Sequence, residues 1–287
     1  MGIFRLVQSF DDFDDFIASI TWDLKYTQLS PGKFRADLAF FGDRDLQIAE
    51  VSLNTTLLQH GSVPEGFTFA IHHPESAPLK WRHLDFGADG IIVFPENRDH
   101  QGWSQKNHHP FTVTMADTYL SKVADEVGLP EPSEFVRKGE IHQCDPVTIR
   151  RIQHFLGSVC EMIRFTPAGF VKDLVSHEFK WKIARMFLLA LSSSEVTKLR
   201  KRRLSRRKRI VDRVMEYIDS DLSTVRSVPE LCRIAEVNER TLRNVFYEQV
   251  SLSPTRFIKC HRLNTVRSAL RRVDSTDAVV ADIANET

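Results

Sequence analysis

The sequence predicts an α+β protein in which a strand-rich N-terminal part is followed by helices. Short apolar runs with a two-residue alternation, separated by Gly, Pro and Asn, occupy the chain up to about Met115. Two longer stretches, Asp145–Phe165 and Ala168–Leu191, then carry apolar residues at helical spacing. The chain beyond residue 208 shows helical spacing alone. A length of 287 residues suggests about two domains.

The charge distribution separates the two ends of the chain. Residues 191–287 carry 20 Lys and Arg against 13 Asp and Glu, a net charge of +7, whereas residues 1–190 carry 19 against 25, a net charge of −6. A basic C-terminal part favours a nucleic-acid-binding module attached to a different domain. We therefore expect a DNA-binding domain over residues 209–287, a basic linker over 192–208 and a separate domain over residues 1–191.

The N-terminal part begins with an acidic stretch that predicts a short helix near Ser9–Ile20. Its four aspartates alternate with Phe at helical spacing, so they indicate a solvated face and a first turn favoured by the helix dipole, not an acid–base pair. They are Asp11, Asp12, Asp14 and Asp15. The strands are expected within Asp45–Leu53, Gly66–His72, Gly90–Phe94 and Phe111–Met115.

The N-terminal part contains ten of the eleven histidines, including the pairs His72-His73 and His108-His109. A metal site needs ligands that converge in space, and the sequence shows no such motif, so we expect no metal and no cofactor. Six aromatic residues could line a cavity for a ligand or form the core of a barrel, and the core is favoured. They are Phe67, Phe69, Trp81, Phe86, Phe94 and Trp103. No ligand-binding residue is singled out.

The segment Ser227–Val250 predicts two short helices joined by a tight turn. Pro229 suits the first turn of one helix and Asn238 suits the N-cap of the next. This leaves Glu236–Asn238 as a connection of helix-turn-helix length. Apolar residues recur at i, i+3 and i+4 in both helices, at Leu231, Ile234 and Ala235, and at Leu242, Val245 and Phe246.

The other face of the second helix carries basic and amide side chains. Arg240 and Arg243 can pair with guanine in a bidentate way, and Asn244 can do the same with adenine, while Glu239 and Thr241 are weaker candidates for base contact. Spacing alone leaves two interpretations equally open, a reader of the DNA major groove or the solvated face of an ordinary helical hairpin.

The residues after this hairpin favour the first interpretation. Ser253-Pro254, Phe257, Arg262-Leu263, Val266-Arg267 and Leu270 follow in order. Together with the helix predicted over Arg209–Ser220, this pattern resembles the AraC/XylS family of transcription regulators over about residues 208–287. The resemblance implies that Arg262 and Arg267 orient a linker helix or touch phosphate. It also implies that residues 1–191 are a regulatory and dimerisation domain, with a cupin-like sensor barrel and with dimerisation through the helices of residues 145–191.

The chain departs from the family pattern at three places. Glu236 and Ser251 stand where Gly is usual. A positive φ at Glu236 would cost on the order of 1 kcal/mol. Asp277–Thr287 resembles the start of a second helix-turn-helix, but its recognition helix is absent from the sequence, so we expect an incomplete second unit, through truncation or an early natural end.

Several other classes of protein are disfavoured. No apolar run reaches the roughly 20 residues that span a bilayer, and the N-terminus lacks a signal-peptide core. The four cysteines are scattered without a CxxC pair, as expected of reduced cytoplasmic thiols. No nucleophile, phosphate-loop or dinucleotide motif occurs.

The basic run Ser192–Arg209 could be a flexible linker or could touch DNA phosphate, and both interpretations remain open.

The sequence therefore predicts a cytoplasmic regulator, not an enzyme, that binds double-stranded DNA as a homodimer. We expect it to act as an activator, to respond to a small-molecule effector and to contact RNA polymerase, without any membrane association. Two rivals stay open, a cupin-like enzyme with a helical appendage and a module whose helical hairpin binds protein.

Overall fold

The computed structural model describes residues 4–20, 22–77, 79–81, 84–95, 100–166, 176–196, 201–220 and 227–272. The chain forms two compact units. The first comprises Met1–Lys25 and Gly32–Thr197, and the second comprises Tyr26–Pro31 and Lys198–Thr287. The assignment of Tyr26–Pro31 to the second unit is a feature that the sequence did not indicate.

The first unit is rich in strands. The strands are β1 (Phe4–Phe10), β2 (Asp23–Gln28), β3 (Ala36–Gly42), β4 (Leu46–Leu53), β5 (Leu57–Ser62), β6 (Phe67–His72), β7 (Leu79–Trp81), β8 (Leu84–Phe86), β9 (Gly90–Val93), β10 (His100–Ser104), β11 (Pro110–Met115), β12 (Ile141–Gln143) and β13 (Glu195–Val196). They form an eight-stranded antiparallel sheet in the order β1-β3-β4-β11-β6-β9-β12-β13 and a five-stranded sheet in the order β2-β5-β10-β7-β8. The prediction of a β-rich N-terminal part is confirmed, while its cupin-like character remains a prediction.

In the described residues of the first unit, five helices accompany these strands. They are α1 (Phe13–Ser19), α2 (Asp117–Glu126), α3 (Pro132–Phe135), α4 (Pro146–Phe165) and α5 (His177–Ser192). Asp145 caps α4 by accepting a hydrogen bond from the Thr148 amide at 2.8 Å, and Ser176 caps α5. The helix predicted over Ala168–Leu191 begins later, at His177, because Ser176 is an extended N-cap. Residues 168–175 lie outside the described residues.

The start of the chain differs from the expectation. The predicted helix near Ser9–Ile20 is shorter, because Ser9 and Phe10 belong to β1, which pairs with β3. Asp12 is the N-cap of α1 and accepts hydrogen bonds from the amides of Asp14 and Asp15. The aspartates therefore serve the first turn of a helix, as expected.

The core of the first unit follows the two-residue period of its strands. Alternate residues of β4, β6 and β11 pack in one cluster with residues of α2, α4 and α5. These residues are Leu46, Ile48, Phe67, Phe69, Ile71, Phe111, Val113 and Met115. The opposite face of β6 joins a second cluster with Trp81, Phe86 and Phe94. All six aromatic residues singled out in the sequence are buried, which favours the core interpretation over a ligand cavity.

The second unit is helical, with α6 (Lys201–Ser220), α7 (Val228–Ala235), α8 (Glu239–Val250) and α9 (Pro254–Arg272). Helix α6 buries Ile210, Val211, Val214, Met215 and Ile218, and it packs against α7 and α8. Residues 277–287, which the sequence assigned to a second helix-turn-helix, lie outside the described residues. None of the helices in the described part of the chain has the length and apolarity needed to cross a bilayer.

The linker expected over residues 192–208 needs correction. Helix α6 already begins at Lys201, so the basic residues 201–208 are helical instead of extended. Arg, Lys and Leu are strong helix formers. The run also continues into a stripe of buried residues that anchors the helix from Ile210 onward, and this outweighs repulsion among like charges.

Candidate nucleic-acid interface

A left-handed residue makes the turn between α7 and α8. Glu236 has φ 54° and ψ 43°, which reverses the chain directly after Ala235. Its amide donates to the Arg233 carbonyl at 3.2 Å, and the Val237 amide donates to the Cys232 carbonyl at 3.0 Å. These bonds satisfy carbonyls at the end of α7 as a glycine-type C-cap would. Glu236, which stands where the family pattern usually has Gly, thus adopts a positive φ.

Helix α8 is fixed at its start by Asn238, as predicted. The Asn238 side chain accepts a hydrogen bond from the Thr241 amide at 2.8 Å. One face of the helix is then fully covered, since Leu242 and Phe246 have 0% exposure and Val245 has 3%. With its start capped and one face packed, α8 holds its opposite face in a defined orientation.

The opposite face of α8 presents the side chains that the sequence singled out. Glu239, Arg240, Arg243 and Asn244 are exposed, and Thr241 is half-buried. Positions 240, 243 and 244 are separated by three and four residues, so they lie on one side of the helix. The Arg243 guanidinium donates to the Glu239 carboxylate at 2.7 Å. This face offers donors for guanine and both a donor and an acceptor for adenine.

The acidic residues around the turn are paired with α6. The Tyr217 hydroxyl donates to Glu230 at 2.6 Å, and Arg213 lies 3.3 Å from Glu236. Arg207, from the basic run, pairs with Glu248 on α8. Helix α6 thus places two arginines and one tyrosine hydroxyl beside carboxylates that would otherwise repel a phosphate backbone.

Tyr247 is a surface residue that the sequence reasoning missed. It is 55% exposed and lies four residues after Arg243 on the same face of α8. A tyrosine offers both an apolar ring and a hydroxyl, and tyrosines are among the side chains that contact DNA phosphates. The signal was present in the spacing, since position 247 continues the series of residues 240, 243 and 244.

Helix α9 begins at Pro254 after a second left-handed residue, Ser251, with φ 60°. Phe257 packs edge-on against Phe246, with ring centroids 5.5 Å apart, and so joins α9 to α8. His261 follows one turn later, and burial lowers its pKa to about 4. Glu236 and Ser251, which stand where the family pattern usually has Gly, are therefore both C-cap residues with a positive φ.

Arg262 and Arg267 lie on α9 and are half-buried. Five residues correspond to about 140° around a helix, so the two arginines do not share a face. Arg267 lines a surface groove together with Leu29, Lys259 and Leu263. The structure thus brings Arg240, Arg243 and Asn244 together and leaves Arg262 and Arg267 on separate sides of another helix.

The segment Tyr26–Pro31 is held against α9 within the second unit. The Asn264 side chain accepts from the Gln28 amide at 3.2 Å and donates to the Gln28 carbonyl at 3.0 Å. The Cys260 thiol lies 3.4 Å from the Leu29 carbonyl. Leu29 is only 1% exposed. This paired amide contact mimics the bonding between neighbouring β-strands.

The thiols and candidate metal ligands are readily placed. The cysteines Cys144, Cys160, Cys232 and Cys260 are all free. Within the described ranges, one group of His, Cys, Asp or Glu side chains is close enough to hold an ion, namely Glu50, His73 and His109 in the first unit.

Comparison with known proteins finds similarity to a transcriptional activator. No family model matches the chain. The chain is 22% identical over 194 residues to XylDLEGF operon transcriptional activator 1 of Pseudomonas putida, which covers 68% of this chain and 57% of the activator. The match therefore spans less than two thirds of the activator's own length.

Solved structures of ToxT from Vibrio cholerae were also found. One is 10% identical, covers 99% of this chain and 90% of ToxT, and superposes with a TM-score of 0.27. A structure of ToxT with bound unsaturated fatty acid is 10% identical, covers 91% of this chain and 86% of ToxT, and gives a TM-score of 0.31. Both TM-scores are below 0.5, so neither structural likeness supports a conclusion about function.

Proposed function

We infer that the chain is a member of the AraC/XylS family of transcription regulators, and we propose that it binds a specific double-stranded DNA sequence through helix α8. In this proposal Arg240, Arg243 and Asn244 contact base edges in the major groove. Glu239 and Thr241 lie at the edge of the contact. Arg262 and Arg267 act through α9, by orienting it or by touching phosphate.

One observation carries the proposal. The three base-reading side chains share the exposed face of a helix whose other face is completely buried. That helix follows a three-residue turn and is capped at its start by Asn238. A rigid helix with outward Arg and Asn at i, i+3 and i+4 is the arrangement that a helix-turn-helix protein inserts into the major groove.

The first unit supplies regulation in this proposal, by sensing a small-molecule effector and by dimerisation through the helices of residues 145–191. Helices α4 and α5 support the dimer, because they expose large apolar side chains. These are Val147 at 46%, Met162 at 46%, Phe165 at 81% and Leu189 at 41%. Met162 and Phe165 are three residues apart and so lie on one side of α4 near its end, and an exposed apolar patch of this kind marks a surface where another protein docks.

We assign the protein the role of an activator in the cytoplasm that contacts RNA polymerase. The curated relative is named as a transcriptional activator. We further propose that the chain is not an enzyme, since its resemblance is to a regulator. The alternative of a protein-binding hairpin is separable by its response to salt, because counterion release makes DNA binding weaken steeply as salt rises.

The test is selection of bound fragments from genomic DNA with the purified full-length protein, followed by titration of a selected site. We expect a site bound at least about 10³-fold more tightly than scrambled DNA of the same length. The affinity should fall steeply between 50 and 200 mM salt, as expected of about six or more phosphate contacts. Equal affinity for selected and scrambled DNA would remove the sequence-specific function.

A further inference from the structure

Two histidines and a glutamate converge in the first unit because of strand register. Leu46 and Ile48 of β4, Phe69 and Ile71 of β6, and Phe111 and Val113 of β11 point into the core that contains α4 residues. Continuing each row by two residues reaches Glu50, His73 and His109. Glu50 pairs with Phe111 and Ile71 pairs with Phe111, so the three rows end side by side. The His73 amide also donates to the His109 carbonyl at 2.8 Å.

The three side chains form a compact group. Their ligand atoms all lie within 4.8 Å of one another. His109 Nε2 is 2.7 Å from Glu50 Oε1, and the rings of His73 and His109 stack with centroids 3.9 Å apart. From these contacts we propose that Glu50, His73 and His109 form a binding site for a divalent transition-metal ion, with Zn²⁺ as the preferred ion.

The surroundings of Glu50 suit a metal-ligating carboxylate. Arg164 of α4 donates to Glu50 Oε2 at 3.0 Å, which leaves Oε1 for the ion. Ligating carboxylates are commonly held in this way by a further hydrogen bond. Glu50 is only 7% exposed, so a charge there needs such a partner. The Arg164 contact thus positions the carboxylate without occupying the oxygen that faces the histidines.

Binding requires the stacked rings of His73 and His109 to reorient, because rings inclined by only 16° cannot both direct a nitrogen at one ion. Two ligands on a tetrahedral zinc ion lie about 3.3 Å apart, so the 2.7 Å contact between His109 and Glu50 must open slightly. The proton on His109 Nε2 moves to Nδ1 as the ion takes its place. His73 Nδ1 accepts a bond from the exposed Glu75 amide at 3.1 Å, and His73 can give up this contact to turn its ring.

A cleft leaves the remaining coordination position accessible. Glu50, His73 and Arg164 line it together with His154 and Glu161 of α4. Water can complete a site with three protein ligands, as in open zinc sites. Glu75 and Glu161 are exposed residues near the histidines, and their negative charges favour a dication. Two imidazoles and one carboxylate favour zinc over magnesium, which prefers oxygen ligands alone.

The test uses tag-free full-length protein, stripped with a chelator and then dialysed against Zn²⁺. We expect one equivalent of bound zinc by atomic emission and a higher midpoint of thermal unfolding. Millimolar Mg²⁺ should not displace the zinc. Co²⁺ should give visible absorption bands of a four- or five-coordinate site. Absence of stoichiometric zinc from folded protein, or displacement by Mg²⁺, would overturn the proposal.

Three variants locate the site. His73→Gln and His109→Gln should each weaken zinc binding at least about tenfold. The matched control His177→Gln alters an exposed histidine at the start of α5 and should bind zinc like the original protein. His73 makes the weaker contacts, so His73→Gln should fold even if His109→Gln does not. Unchanged zinc affinity in His73→Gln would overturn the proposal.

Discussion

Replacement of Arg243 gives the sharpest test of the proposed base contacts by the exposed face of α8. Its side chain is 58% exposed and its contact with Glu239 is an exposed i,i+4 pair. Such a pair contributes about 0.3–0.5 kcal/mol to stability, so Arg243→Ala should leave folding nearly unchanged. A bidentate contact with guanine discriminates by about 1–3 kcal/mol. The variant should therefore bind its operator about 5- to 150-fold more weakly.

Charge and geometry can be separated with a second substitution. Arg243→Lys keeps the positive charge but loses the planar fork that matches guanine, so it should lose specific binding as Arg243→Ala does. Arg151→Ala removes an exposed arginine from α4 in the first unit and is the charge-matched control. Fluorescence anisotropy on operator and scrambled DNA measures both terms. An equal loss on the two DNAs, or full rescue by Lys, would refute a base contact.

Three further predictions concern stability. Glu236→Gly should raise the free energy of unfolding of the second unit by about 1 kcal/mol, because it relieves the strain of a left-handed residue at φ 54°. Denaturant titration measures this difference against Glu236→Ala, which keeps the strain. Asn238→Ala should lower the free energy of unfolding by about 0.5–2 kcal/mol through loss of the α8 cap, whereas Asn238→Asp should retain the cap; similar losses in both would contradict this role. Burial lowers the His261 pKa to about 4, so the unfolded chain takes up the proton first and stability should fall as pH drops from 7 to 4, by up to about 3 kcal/mol. His261→Gln should flatten this dependence in urea titrations, and an unchanged slope would assign it to other groups.

Local patterns in the sequence predict the hairpin of α7 and α8 closely. Helical spacing indicates α7 and α8, and the preference of Asn for N-caps indicates where α8 begins. The positive φ at Glu236 follows from its place between two helices that must turn sharply. These features are recoverable because each depends on residues close together in the chain.

Features that depend on distant residues are harder to predict. The basic run was expected as a linker because repulsion among like charges was weighed without the buried stripe that continues α6. The convergence of Glu50, His73 and His109 requires the pairing order of β4, β11 and β6, which one sequence does not specify. The two-residue period does place Glu50 on the inward row of β4, and His73 and His109, each one residue outside β6 and β11, continue the inward rows of those strands.

The paired contact between Gln28 and Asn264 bears on how the protein can be divided for study. A fragment starting at Lys198 would leave Tyr26–Pro31 behind, so α9 would lose the amide contact at Asn264 and the cover supplied by Leu29. The helical half of this chain is therefore not delimited by a single cut. The segment Tyr26–Pro31, which packs against α9, lies some 170 residues before the first helix of this unit.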